Sequence, residues 1–125
     1  MNKRTSIQTK NHLFLQTSKG LEIIDLEALV RIEAISNYCK LYFANDKTLV
    51  VAKILAWFEE QLPTHNFARV HRSHIVNLHH VQSYQRHSSR VILHNSTVIE
   101  ISRRRRSGLL KIFRALAGFP LEIAA

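Results

Sequence analysis

The sequence is poor in most of what secreted, membrane-spanning or catalytic chains rely on. One cysteine, Cys39, in 125 residues excludes an internal disulfide framework and suits a reducing compartment. Three glycines, Gly20, Gly108 and Gly118, form neither a phosphate-binding loop nor a dinucleotide-binding fingerprint. The apolar stretches Leu49–Ala52 and Ile54–Phe58 fall far short of the ~20 residues that cross a bilayer. Met1 to Asn11 has no apolar segment of the kind a signal peptide needs. After Glu60 the only acidic residues are Glu100 and Glu122, so general acid–base catalysis lacks its usual carboxylates. Neither HExxH nor GxSxG occurs. No enzyme, cofactor or small-molecule substrate is expected, and the expected location is cytoplasmic.

Positive charge is what the chain does have. Lys and Arg number 18 against 9 Asp and Glu, a formal charge of +9 with the 8 His neutral. The excess is uneven: residues 1–62 hold 8 basic and 7 acidic side chains, residues 63–125 hold 10 basic and 2 acidic. Nine of those last 10 cations are Arg, whose planar fork matches phosphate oxygens and guanine edges. A surface tuned only for solubility interleaves both signs, so an anionic polymer is the favoured partner. At 46% hydrophobic and 22% charged residues, the chain still has a core to bury.

Apolar runs of strand length fill most of the chain. His12–Thr17 and Leu21–Asp25 flank a turn at Ser18-Lys19-Gly20. Val30, Ile32 and Ala34 alternate with Arg31 and Glu33, and Cys39, Leu41 and Phe43 share one face of the next run. Asn45-Asp46-Lys47 leads into Thr48–Val51. Ile54, Leu55, Phe58 and Leu62 then recur at helical spacing, with Glu59, Glu60 and Gln61 outward and Pro63 as a stop. Strands resume at Ile75–Leu78, Val81–Gln85, Arg90–His94 and Thr97–Ile101. Leu109, Leu110, Ile112, Phe113 and Leu116 form a last helical stripe, with Ser102 as N-cap and Gly118 and Pro120 as stops. The expected fold is mostly β with one internal helix and one C-terminal helix. Residues 1–11 read as a flexible basic tail or linker remnant, 12–117 as the domain, and 118–125 as a short apolar tail.

Two constellations stand out. Arg103-Arg104-Arg105-Arg106 fall where the last helix should begin, an end that the helix dipole already makes positive. Local stability does not favour four cations there, whereas a bound phosphate reverses the balance. In Phe67–Asn77, Phe67, Val70, Ile75 and Val76 read as anchors around an exposed bend, His71-Arg72-Ser73-His74, rich in donors. A third segment, Ser36-Asn37-Tyr38-Cys39-Lys40, joins two strands and signals little alone.

These pieces, in this order, resemble the LytTR-type DNA-binding domain of bacterial transcription regulators. The matching segments are Leu29–Lys40 (LVRIEAISNYCK), Phe67–Asn77 (FARVHRSHIVN) followed by Val81, and Ile99–Leu109 (IEISRRRRSGL). The resemblance implies a multi-stranded β fold whose loops enter successive major grooves of promoter DNA, and no helix-turn-helix. Carried over by position, Cys39, Arg72 and Arg103 are base-reading candidates. Asn37, Tyr38, Lys40, His71, Ser73 and Arg104 become backbone or supporting contacts, joined by Arg105 and Arg106 from the charge run. The position aligned with Cys39 often holds a longer polar residue in the family, so first-loop readout here could fall to Lys40. The expected partner is double-stranded DNA, bound by two protomers on paired direct repeats. Family members usually carry a phosphorylatable receiver or a membrane segment ahead of this domain. A stand-alone regulator and an excised domain both fit the 11 residues that precede the first strand.

Two alternative readings fit parts of the same sequence. A nonspecific nucleic-acid or RNA-binding module would display aromatics for base stacking. A His-rich metal-binding protein would draw on His71, His74, His79 and His80, but no Cys pair or carboxylate accompanies them at ligand spacing.

Overall fold

The computed structural model describes residues 11–117. The expected basic tail up to residue 10, the apolar tail at 118–125, and the stops at Gly118 and Pro120 lie outside the described residues. The described residues open with a hairpin of β1 (His12–Thr17) and β2 (Gly20–Asp25), in which Leu13, Leu15 and Ile24 turn inward. Five strands then build one antiparallel sheet: β3 (Leu29–Ile35), β4 (Tyr38–Phe43), β5 (Thr48–Val51), β6 (Phe67–His71) and β7 (His74–Asn77). Their order is β5-β4-β3-β7-β6, with α1 (Leu55–Gln61) inserted between β5 and β6. A second sheet, β10-β9-β8, comprises β8 (Val81–Gln85), β9 (Arg90–Leu93) and β10 (Val98–Glu100). A 3-10 turn at Arg103–Arg105 leads into α2 (Arg106–Ala117). The fold is the mostly β one that the sequence implied, with its two helices where expected.

The five-stranded sheet carries a core on each face. On one, Ile32, Cys39, Leu41 and Ile75 pack with Leu13, Leu15 and Ile24 of the first hairpin and with Leu55, Phe58 and Leu62. On the other, Val30, Ala68, Val70 and Val76 pack with Val91, Leu93, Ile99, Ile101 and Leu109. Neighbours such as Ile75 and Val76 therefore serve opposite cores, because successive side chains of a strand point to opposite faces. Among the described residues two polar side chains are buried, Asn77 and Ser89, and Asn77 is the one that bridges elements. Its Nδ2 donates to the carbonyls of Leu26 at 3.1 Å and Leu29 at 2.9 Å, and its Oδ1 accepts from the His79 amide. That side chain fixes the β2–β3 connection to the end of β7.

With few glycines available, several turns are closed by other residues. Ser36, Asp46, Ser89 and Ser96 take positive φ, a conformation that costs residues bearing a Cβ some free energy. Gly20, at φ +135°, occupies the one described position where an L side chain would be most strained.

Several local expectations need correction. β6 is a strand from Phe67 onward, so the expected bend narrows to a two-residue turn, Arg72-Ser73, between paired His71 and His74. Phe67, Ala68 and Val70 hid it by feeding both cores, which erases simple alternation. Ile54 is 62% exposed and precedes α1 without a side-chain cap, so it is no part of the helical stripe. The strand expected at Ile75–Leu78 is β7, which starts at His74, while Leu78 opens a 3-10 turn. Ser102 occupies the N-cap position of the arginine turn but makes no side-chain cap bond. Three of the four arginines lie in that turn, and only Arg106 opens α2.

Candidate nucleic-acid interface

Strand order brings the three segments singled out in the sequence to one end of the large sheet. β3 and β4 meet in the turn Ser36-Asn37, and β6 and β7 meet in Arg72-Ser73. β3 also pairs with β7, with Glu33 opposite His74 and the Ala34 amide donating to the Ser73 carbonyl at 2.9 Å. The two tips are thus about two strand spacings apart, on the order of 10 Å. On the far side of β6, the Ser102 amide donates to the Val70 carbonyl at 2.9 Å, which seats the arginine turn against that edge. Asn37 and Tyr38, then Arg72, then Arg103 form one row.

Exposure separates the candidates. Asn37, Tyr38, Arg72, Arg103, Arg104 and Arg106 are exposed, while Lys40, His71, Ser73 and Arg105 are half-buried. Arg72, Arg103, Arg104 and Arg106 enter no ion pair among the described residues. Their charge is therefore uncompensated. Lys40 lies over the ring of Tyr42, 5.2 Å from its centroid, and Arg31 stacks closer on that ring at 3.6 Å. The Tyr42 hydroxyl donates to Glu33 Oε1 at 2.7 Å. Burial, and next the Glu33 carboxylate, hold the Tyr42 hydroxyl above its ordinary pKa.

Cys39 does not belong to this surface. Its side chain has no exposure and faces the first core, paired across the sheet with Ala34 and Val51. Burial pushes the thiol pKa up to about 11, against a smaller opposing pull from Arg69. A neutral thiol under a sheet cannot touch a base edge, so the position-by-position expectation for Cys39 is corrected. The first tip exposes Asn37 and Tyr38, with Lys40 half-buried behind them.

His71 is tied into its turn, with its Nδ1 accepting from the Ser73 amide at 3.1 Å, which leaves Nε2 as the ring's remaining polar atom. The His71 and His74 rings lie 5.5 Å apart. His74 Nδ1 is buried with no hydrogen-bond partner, and burial lowers the His74 pKa. Among the described residues no group of His, Cys, Asp and Glu is placed to hold a metal ion.

Two further residues shape the site without having been singled out in the sequence. Arg69 Nη2 donates to the Arg72 carbonyl at 2.7 Å and its Nε to the His71 carbonyl at 3.3 Å. Glu59 on α1 accepts from Arg69 at 3.1 Å and from Arg105 at 3.3 Å. The one available signal was that Arg69 shares a strand face with Phe67, the face covered by α1. Nothing local paired it with Glu59.

The geometry matches what comparison with other proteins returns. The family model of the LytTr DNA-binding domain matches residues 19–114. The chain belongs to the LytTR family of DNA-binding domains. A solved structure similar to it is the LytTr DNA-binding domain of a Bacillus cereus protein described as a methyl-accepting/DNA response regulator. The two align with a TM-score of 0.68 at 28% identity, over 89% of this chain and 100% of that one. No curated protein matches the chain. The LytTR match takes in all three segments of the row, including the arginine turn. No helix among the described residues is long and apolar enough to cross a membrane.

Proposed function

We propose that this LytTR domain is a sequence-specific reader of double-stranded promoter DNA in a bacterial transcription regulator. The observation that carries this reading is the single row of tips in which Arg72 and Arg103 stand exposed and unpaired. Arg72 and Arg103 contact base edges, where the guanidinium fork matches guanine O6 and N7. Asn37, Tyr38, Lys40, His71, Ser73 and Arg104–Arg106 bind the phosphate backbone or support those that do. The tips enter the major groove, and their long side chains reach the flanking backbone. Two protomers on paired direct repeats would double the number of base contacts. The B. cereus neighbour's description fits a domain that receives its signal from a regulator's other parts.

Selection from random duplexes tests this directly. The expected outcome is a recovered motif protected by the protein in base-resolved footprints, at a spacing that reports one or two protomers. Recovery of no motif, with affinity set by salt alone, would falsify sequence-specific reading. Tyr38, 52% exposed at the first tip, is the exposed aromatic among the described residues that suits base stacking on single strands. Competition by single-stranded RNA measures that reading, and effective competition would favour it over duplex recognition.

A further inference from the structure

Arg69 and Glu59 lie outside the DNA contacts assigned above, yet they connect the two arginines that read bases. The Arg69 side chain is only 16% exposed and folds back on the turn it precedes. Its fork binds the His71 and Arg72 carbonyls together, and the Arg72 carbonyl lies in the turn, outside the β6–β7 ladder. One oxygen of Glu59 holds this guanidinium and the other holds Arg105 in the arginine turn. A single carboxylate on α1 thus spans the tip that presents Arg72 and the turn that presents Arg103.

We propose that Arg69 and Glu59 are positioning residues for DNA recognition, and that the Arg69–Glu59–Arg105 bridge sets the separation of Arg72 and Arg103. The inference rests on the DNA-reading role proposed above. Stability alone gives the bridge little reason to exist, since partly exposed ion pairs contribute only about 0–1 kcal/mol. Electrostatics gives it less, because a carboxylate beside the arginine turn opposes phosphate binding. Positioning accounts for both observations. Base readout needs its side chains held to within about 0.5 Å, whereas binding driven by counterion release does not. The two kinds of duplex should therefore respond differently.

Affinity is measured on the selected duplex and on random duplex, alongside thermal unfolding of each variant. Glu59→Gln keeps the shape and removes the charge. It should weaken selected-site binding roughly threefold to tenfold while random-duplex binding tightens or holds. Arg69→Lys keeps the charge and loses the fork. It should weaken selected-site binding about tenfold with random-duplex affinity unchanged, and Arg69→Gln should be no better. Equal changes on both duplexes, in either direction, would overturn the proposal, as would wild-type affinity of Arg69→Lys for the selected site. A readout in the free protein separates this proposal from the function it rests on. Amide order parameters at Arg72, Ser73 and Arg103–Arg105 should drop in both variants from about 0.85, the value of rigid backbone. Unchanged order parameters overturn the bridge whatever the DNA result. Failure of the wild type to select a motif overturns the function instead.

Discussion

The Ala34 amide donates to the Ser73 carbonyl at 2.9 Å, and this bond joins two hairpins at their tips. It continues the β3–β7 ladder one step past the Glu33–His74 pair, to where β3 nears Ser36-Asn37 and β7 nears Arg72-Ser73. Register is well defined there, because a one-residue slip of β3 would turn Ile32 out of the core and Glu33 into it. The spacing of the tips is thus set by the same pattern that buries the sheet. The row of tips is a product of core packing.

The proposed roles divide the arginines of the row into base and backbone contacts. Arg103→Ala should cost ~1–3 kcal/mol on the selected duplex and relax one base position, as loss of a bidentate arginine–guanine contact does. Arg106→Ala should weaken selected and random duplexes alike and reduce the salt slope by about 1. Binding titrations over a range of salt measure both. A loss confined to the selected duplex for Arg106→Ala would move that residue from backbone to base contact.

Cys39 tests whether position or burial decides a residue's role. Cys39→Ala should retain the selected motif and cost about 1–2 kcal/mol of stability from the lost sulfur packing. Cys39→Gln, a longer polar side chain at the same place, should cost about 2–4 kcal/mol, because its amide has no partner in the core. Denaturant melts and repeat selection check these outcomes. A changed base preference in Cys39→Ala would put the thiol back in the interface.

Asn77 should behave as a structural residue despite lying inside the most family-like segment. Asn77→Ala leaves the Leu26 and Leu29 carbonyls without its donors and should cost about 2–4 kcal/mol. Asn77→Asp should cost more, since it sets an acceptor and a charge against two carbonyl oxygens. Equal stability of Asn77→Asp and the wild type would show that those carbonyls are not held by this side chain.

How much of this the sequence displayed depends on how local each feature is. β3 and β4 were legible because Ile32 and Leu41 alternate with half-exposed Arg31, Glu33 and Tyr42. β6 was not, because Phe67, Ala68 and Val70 are divided between two cores whose existence only the tertiary fold reveals. Cys39 had two conflicting signals, an alternation that turned it inward with Leu41 and a family position that turned it toward DNA. The alternation prevailed, since moving Cys39 outward would move Leu41 with it. Arg72 and the arginine run were visible as charge that needed an anion. Glu59 was visible only as the polar side of a helix, and no pattern in the chain places that side beside Arg69.

His74 makes stability depend on pH. Its Nδ1 is buried without a partner, and Glu33, Arg31 and His71 are the charged and titratable groups around it. Burial, with Arg31 and His71 adding to it, lowers its pKa from 6.5 in spite of the opposing Glu33 carboxylate. A histidine whose folded pKa lies below its unfolded value binds protons more readily when the chain unfolds. Its contribution to stability is complete above pH 6.5 and is lost as the pH falls through 6.5 toward the folded value. Unfolding measured across this window should show stability declining with acid, and His74→Gln should flatten the decline. An identical slope in His74→Gln would assign the acid sensitivity to another group. Because His74 adjoins the turn that carries Arg72, the same acidification should loosen selected-site binding more than random-duplex binding.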